Sequence, residues 1–112
     1  MTTTELALLT GADLDRAVAK CLGYTDDEII DYGDYIRLST NPTGSIAFCP
    51  STDWAHGGPI IQRENIWFEY STSYPHWIAK INCDKYIRWM AGSTHLIAAM
   101  RCYVAHKQGE SK

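Results

Sequence analysis

Hydrophobic residues return along this chain with two different periods. At Leu14, Ala17, Val18, Cys21 and Leu22 the spacing is that of a helix with one buried stripe, which predicts a helix opening after Thr10 and closing at Gly23. Thr10 stands in the N-cap position, Asp13 three residues on gives a near-capping box, and Leu9 is placed to pack on Leu14 as a hydrophobic staple. Gly23 supplies the left-handed position that ends such a helix. Residues 25–33 predict a turn or short helical piece with Asp26, Asp27 and Glu28 in its first turn. Short strands follow at 35–39 and 45–48, separated by a loop-forming stretch that holds Asn41-Pro42.

The middle of the chain is punctuated by glycine and proline. Residues 50–54 predict a helix start with Ser51 as cap and Asp53 in the first turn. Gly57-Gly58-Pro59 should then break or kink that helix, with Pro59 opening a second turn through Ile60, Ile61 and Arg63. Beyond it the period becomes two. Ile66, Phe68 and Tyr70 alternate with Trp67 and Glu69; Trp77, Ala79 and Ile81 with His76, Ile78 and Lys80; Tyr86, Arg88 and Met90 with Ile87 and Trp89. That alternation and its aromatic content predict an antiparallel meander. A last helix is predicted over 94–107, capped by Ser93, with Leu96, Ile97, Met100 and Val104 as its buried stripe and Gly109 beyond its end. The expected fold is α+β: one domain over 1–112, a small antiparallel sheet of three to four strands sandwiched with an N-terminal and a C-terminal helix.

Composition narrows the functional classes. The chain has 112 residues, 46% hydrophobic and 21% charged, which excludes a disordered or low-complexity chain. No apolar run approaches the roughly 20 residues of a membrane span, and no secretory signal is visible at the start. The net charge of −3 disfavours general nucleic-acid binding. The charge is uneven: up to His56 there are nine acids and three bases, and from Gly57 onward four acids and seven bases. The acids gather between Asp26 and Asp34; the bases include Lys80, Lys85, Arg88 and Arg101. A solvated face explains such an asymmetry, and an anion-facing surface in the second half is the sharper reading. Cys21, Cys49, Cys83 and Cys102 show no metal-knuckle spacing with one another or with the four histidines, so reduced thiols and no metal site are expected.

The stretch around the double glycine is the candidate binding loop. Adjacent glycines let backbone amides form an anion-binding nest, and a helix N-terminus after them would add positive charge. Trp54 would stack on a ligand, the amides of Gly57 and Gly58 with Arg63 would bind phosphate or carboxylate, and His56 and Asn65 would add hydrogen bonds. The competing reading is a plain helix break with Trp54 in the core and Arg63 in solvent. Trp77 could edge the same pocket, whereas Trp67 and Trp89 are expected to pack a thin sheet. A hydrolytic set assembled from Cys49, Ser51, Asp53 and His56 is conceivable, but no nucleophile elbow, phosphate loop or metalloprotease motif accompanies it, so no enzyme and no cofactor are expected. The small residues Ala98, Ala99 and Ala105 offer a helix face on which two copies could pair.

Three ordered blocks carry a resemblance. Residues 9–20 (with Gly11-Ala12-Asp13-Leu14), 50–61 (with Ser51-Thr52-Asp53-Trp54) and 96–105 (with Met100-Arg101-Cys102-Tyr103) resemble the NinX-like accessory proteins of tailed bacteriophages. The acidic stretch at 26–34 and the tip near 71–74 lie outside those blocks. The resemblance implies a phage-encoded protein in the cytoplasm of an infected bacterium and carries over no catalytic residues. It makes binding to something of the host's the expected context: a defence signal, a defence protein or a replication factor. The leading expectation is a non-enzymatic binding protein that sequesters a small anionic, nucleotide-type ligand; the alternative is an inhibitor or adaptor that docks on a host protein through exposed aromatics.

Overall fold

Residues 96–105 are apolar at every position but Arg101, and a helix hydrophobic all round belongs in a protein's interior. In the computed structural model, which describes residues 2–40, 44–72 and 76–110, this stretch lies inside α4 (His95–Glu110), with Leu96, Ala98, Ala99, Met100, Cys102, Tyr103, Val104 and Ala105 all buried. The three alanines therefore face the core and are closed to a second copy. Thr94 caps α4, its Oγ1 accepting the Ile97 amide at 3.1 Å in place of the expected Ser93. Gly109 falls within the helix, where the Arg88 guanidinium occupies the space a Cβ would need.

The other elements wrap this helix. The N-terminal helices are α1 (Thr3–Leu8) and α2 (Gly11–Cys21); α3 spans Trp54–Glu64, and all three pack on α4. The predicted stripe of α2 is confirmed by burial of Leu14 and Val18, and Gly23 takes φ +105°. The Gly23 and Tyr24 amides bond to the Lys20 and Ala19 carbonyls, the Schellman closure a left-handed residue permits. Thr10 occupies the N-cap without a side-chain bond; the capping box belongs instead to α1, where Thr2 and Glu5 satisfy each other's amides at 3.1 and 3.0 Å. That short helix, which buries Leu6, was not expected.

Among the described residues two three-stranded antiparallel sheets are present rather than one sheet of three to four strands. The first is β1 (Ile29–Asp31), β2 (Ile36–Thr40) and β3 (Gly44–Phe48); the second is β4 (Trp67–Ser71), β5 (His76–Asn82) and β6 (Ile87–Gly92). Strand β1 emerges from the stretch read as a turn, directly after a 3-10 turn at Asp26–Glu28. Of the loop expected over 39–44, Ser39 and Thr40 belong to β2 and Gly44 to β3, and 41–43 lie outside the described residues, as do 73 and 74 of the tip expected near 71–74. In the second sheet Phe68 pairs with Ala79, and Ala79 with Met90, so these share the face covered by α4. The opposite face carries the row Trp67–Lys80–Trp89 across all three strands. Trp67 and Trp89 are 36% and 52% exposed, so they do not pack the sheet as expected. The fold class is α+β. Among the described residues no helix is long and apolar enough to cross a membrane.

Candidate functional site

The expected break at Gly57-Gly58-Pro59 does not occur. Helix α3 runs continuously through it, capped by Asp53, whose carboxylate accepts the Ala55 amide at 2.9 Å, and not by Ser51. Packing overrides local propensity here. A Cβ on Gly57 would stand 2.5 Å from the Pro50 carbonyl oxygen and 2.7 Å from the Leu96 side chain, so the glycine serves the close approach of α3 to the start of α4. Its amide is already bonded to the Asp53 carbonyl at 2.9 Å, and Gly58 is likewise inside the helix, so the pair forms no loop nest.

The remaining residues of the expected site are scattered by the same helix. Nine residue steps from Trp54 to Arg63 amount to about 14 Å of helical rise. Arg63 and the C-cap Asn65 (φ 55°) therefore sit at the far end, where exposed carbonyls favour cations over anions. Arg63 Nε donates to Glu64 at 3.1 Å. His56 Nδ1 accepts the Cys49 amide at 3.0 Å, and a nitrogen that accepts cannot also donate to Asp53, 3.8 Å away. Asp53 and His56, the heart of any hydrolytic set, are thus both engaged in holding the local backbone.

Two of the expected residues, Trp54 and Trp77, do come together, through a third that lies outside the expected site. His95, the first residue of α4, stacks on Trp77 at 3.8 Å, meets Phe68 edge-on at 4.9 Å and faces Trp54 at 6.2 Å; Tyr70 stands against Trp77 at 5.0 Å. The register that sets Tyr70 opposite Trp77 and Phe68 two residues before it builds this cluster from β4 and β5. Trp54, 55% exposed, and His95 border a cavity of about 280 Å³ with Ser51 and Thr94.

The larger cavity lies on the other side of the β6–α4 turn. It measures about 590 Å³, runs along the edge strand β6 and is bounded by Ala7, His76, Trp89, Met90 and Arg101. Arg101 reaches it from α4. Its Nε donates to the Leu9 carbonyl at 3.0 Å and its Nη1 to the Ala91 carbonyl at 2.8 Å, tying the α1–α2 junction to β6. A guanidinium has five N–H donors, so three have no acceptor among the described residues. Burial pulls the Arg101 pKa below the ordinary arginine value, yet the group stays charged at any physiological pH. A partly buried cation with only carbonyls against it is the arrangement an anion completes. The signal in the sequence was the lone charge in an apolar helix; the cavity around it could not be read there. Among the described residues no three His, Cys, Asp or Glu side chains are grouped to hold a metal ion.

These elements define a small α+β protein with an arginine-floored apolar cavity and an aromatic cluster at one end of a central helix. Residues 5–107 match the family model described as Bacteriophage P22, NinX, and the chain belongs to that family. It is thus a NinX-like phage accessory protein, and the match includes the 26–34 and 71–74 stretches that the three sequence blocks left out. No curated protein matches the chain.

Proposed function

We propose that this protein is a non-enzymatic binder that sequesters a small anionic, nucleotide-type ligand in the Arg101 cavity, in the cytoplasm of the infected bacterium, and so blunts a host defence signal. One observation carries the reading: a guanidinium with three donors that find no acceptor among the described residues, at an apolar cavity of about 590 Å³. That volume lies within the roughly 300–1,000 Å³ of small-molecule sites. The planar fork suits a phosphate bidentately, and Trp89 and His76, which border the cavity, are the residues able to stack on a base. Calorimetry against mono-, di- and cyclic nucleotides tests it. Trp89→Ala, an exposed position that spares the fold, should weaken binding by roughly fivefold, the lower end of what a base–aromatic stack contributes. Trp54→Ala should leave binding unchanged. No heat from any nucleotide overturns the proposal.

The protein-docking alternative draws on a separate observation, the open face of β4–β5–β6 with Trp67, Trp89 and the 49%-exposed Ile87. It requires a stoichiometric host protein retained by the wild type from lysate and lost on Trp67→Ala; a co-purifying nucleotide absorbance favours the first reading.

A further inference from the structure

At the end of the sheet away from the β6–α4 turn, the β5–β6 connection and the last turns of α4 enclose a cavity of about 480 Å³. Cys83 and His106 face it together with Asp84, Lys85 and Tyr86. The Cys83 amide closes the connection by donating to the Tyr86 carbonyl at 2.8 Å, which fixes where its side chain stands. Its sulfur lies 3.7 Å from His106 Nδ1, with the Ile81 carbonyl at 3.9 Å as the other neighbour. Nδ1 accepts the thiol proton when the ring carries its own proton on Nε2.

We propose that Cys83 is a thiol-modification site, in which His106 takes up the thiol proton and the thiolate captures a low-molecular-weight disulfide as a mixed disulfide. The step balances within these partners. The proton moves from Cys83 Sγ to His106 Nδ1, the thiolate attacks one sulfur of the disulfide, the new S–S bond forms as the reagent's breaks, and the departing thiolate regains the proton from His106. Cys83 is oxidised and the departing half reduced.

The other three thiols differ in kind. Burial pushes the pKa of Cys21 and Cys49 up, with Asp15 and Asp53 adding to the effect at Cys49. Cys102 is pushed up to about 12 by burial. It stays protonated and cannot resolve the adduct, so the mixed disulfide persists. The charged and titratable groups around Cys83 are Asp84, Lys85 and Tyr86 on the connection, Arg88 on β6, and Cys102 and His106 on α4.

The test is time-resolved peptide mapping of the full chain exposed to oxidised glutathione at neutral pH. Cys83 should be modified on the order of tenfold faster than Cys49, a modest part of what a positioned base can supply, with Cys102 unmodified and no Cys83–Cys102 disulfide formed. His106→Gln should slow Cys83 at neutral pH and leave its rate unchanged at alkaline pH, where an unassisted thiol ionises. Equal rates for Cys83 and Cys49 in the wild type, a measurement that needs no variant, overturn the proposal, and so does a pH–rate profile that His106→Gln does not move.

Discussion

Replacing Pro59 by alanine decides whether α3 is the continuous helix described above. Pro59 is sixth of the eleven residues Trp54–Glu64, beyond the first turn in which a proline's missing N–H costs nothing. An alanine there would supply the absent bond to the Ala55 carbonyl, four residues back. A proline inside a helix costs about 3 kcal/mol against alanine. Gly58 lacks the Cβ that would clash with the proline ring, so part of this cost is already relieved and we take about 1–2 kcal/mol as the gain. Pro59 is exposed, and no packing is lost. At about 4 °C per kcal/mol for a domain of this size, the melting temperature should rise by about 4–8 °C. Urea titration by tryptophan fluorescence and thermal melts by circular dichroism would measure both quantities. Were the chain bent at the glycine pair, the proline would be pre-set for a turn, and its removal would cost about 0.4–1 kcal/mol through the freer unfolded chain. A lowered urea midpoint for Pro59→Ala therefore refutes the continuous helix.

Gly57→Ala should lower stability by about 1–3 kcal/mol, the usual cost of overpacking, because the Pro50 carbonyl cannot yield; a urea midpoint equal to that of the wild type would remove the close-approach role assigned to this glycine. Asp15 is 3% exposed and accepts the Ser51 amide at 2.8 Å, and burial raises its pKa against the pull of the Ser51 bonds. A raised folded pKa means the native state holds the proton more tightly than the unfolded chain, so this contribution is full below the unfolded value and is lost as pH rises through the folded one. Asp15→Asn keeps the acceptor and drops the charge. It should be more stable than the wild type at neutral pH, the gap closing toward about pH 4, near the unfolded carboxylate value; a gap independent of pH would contradict the desolvated charge.

What could be read from the residues alone tracks how local each determinant is. Helix α2 was legible because its stripe, its closing Gly23 and its boundaries all lie within a dozen residues, and the β4–β6 meander because alternation survives in each strand by itself. Helix α3 differs from the local reading because Gly57 and Pro59 argue for a break, while the close approach that Gly57 permits is to the Pro50 carbonyl and to Leu96 on α4, the latter far along the chain. Strand β1, only Ile29–Asp31, is too short to show a period. Helix α1 announced itself only through Thr2 and Glu5, three apart, a signature that was weighed at Thr10 and Asp13 instead. The large cavity was illegible for a related reason. The bond from Arg101 to Leu9 spans 92 positions, and no window of sequence brings α1, β6 and α4 to one place.

The uneven charge of the chain acquires a different meaning once it is folded. The acidic stretch does not stand as a free negative field, because Arg16 and Lys20 on α2 reach across to Asp26 and Asp31 at 2.8–3.8 Å. On the basic side Lys80 is answered by Glu69 at 2.9 Å, and its ammonium also rests 4.9 Å from the Trp67 ring. Pairs of this exposed kind contribute little energy, but each removes a charge from those that could attract a ligand. Arg101 is left differently, held by backbone carbonyls that orient it without neutralising it. The excess of bases over acids beyond Gly57 therefore says less about anion binding than the position of one arginine, whose guanidinium borders a cavity and is bonded to backbone carbonyls.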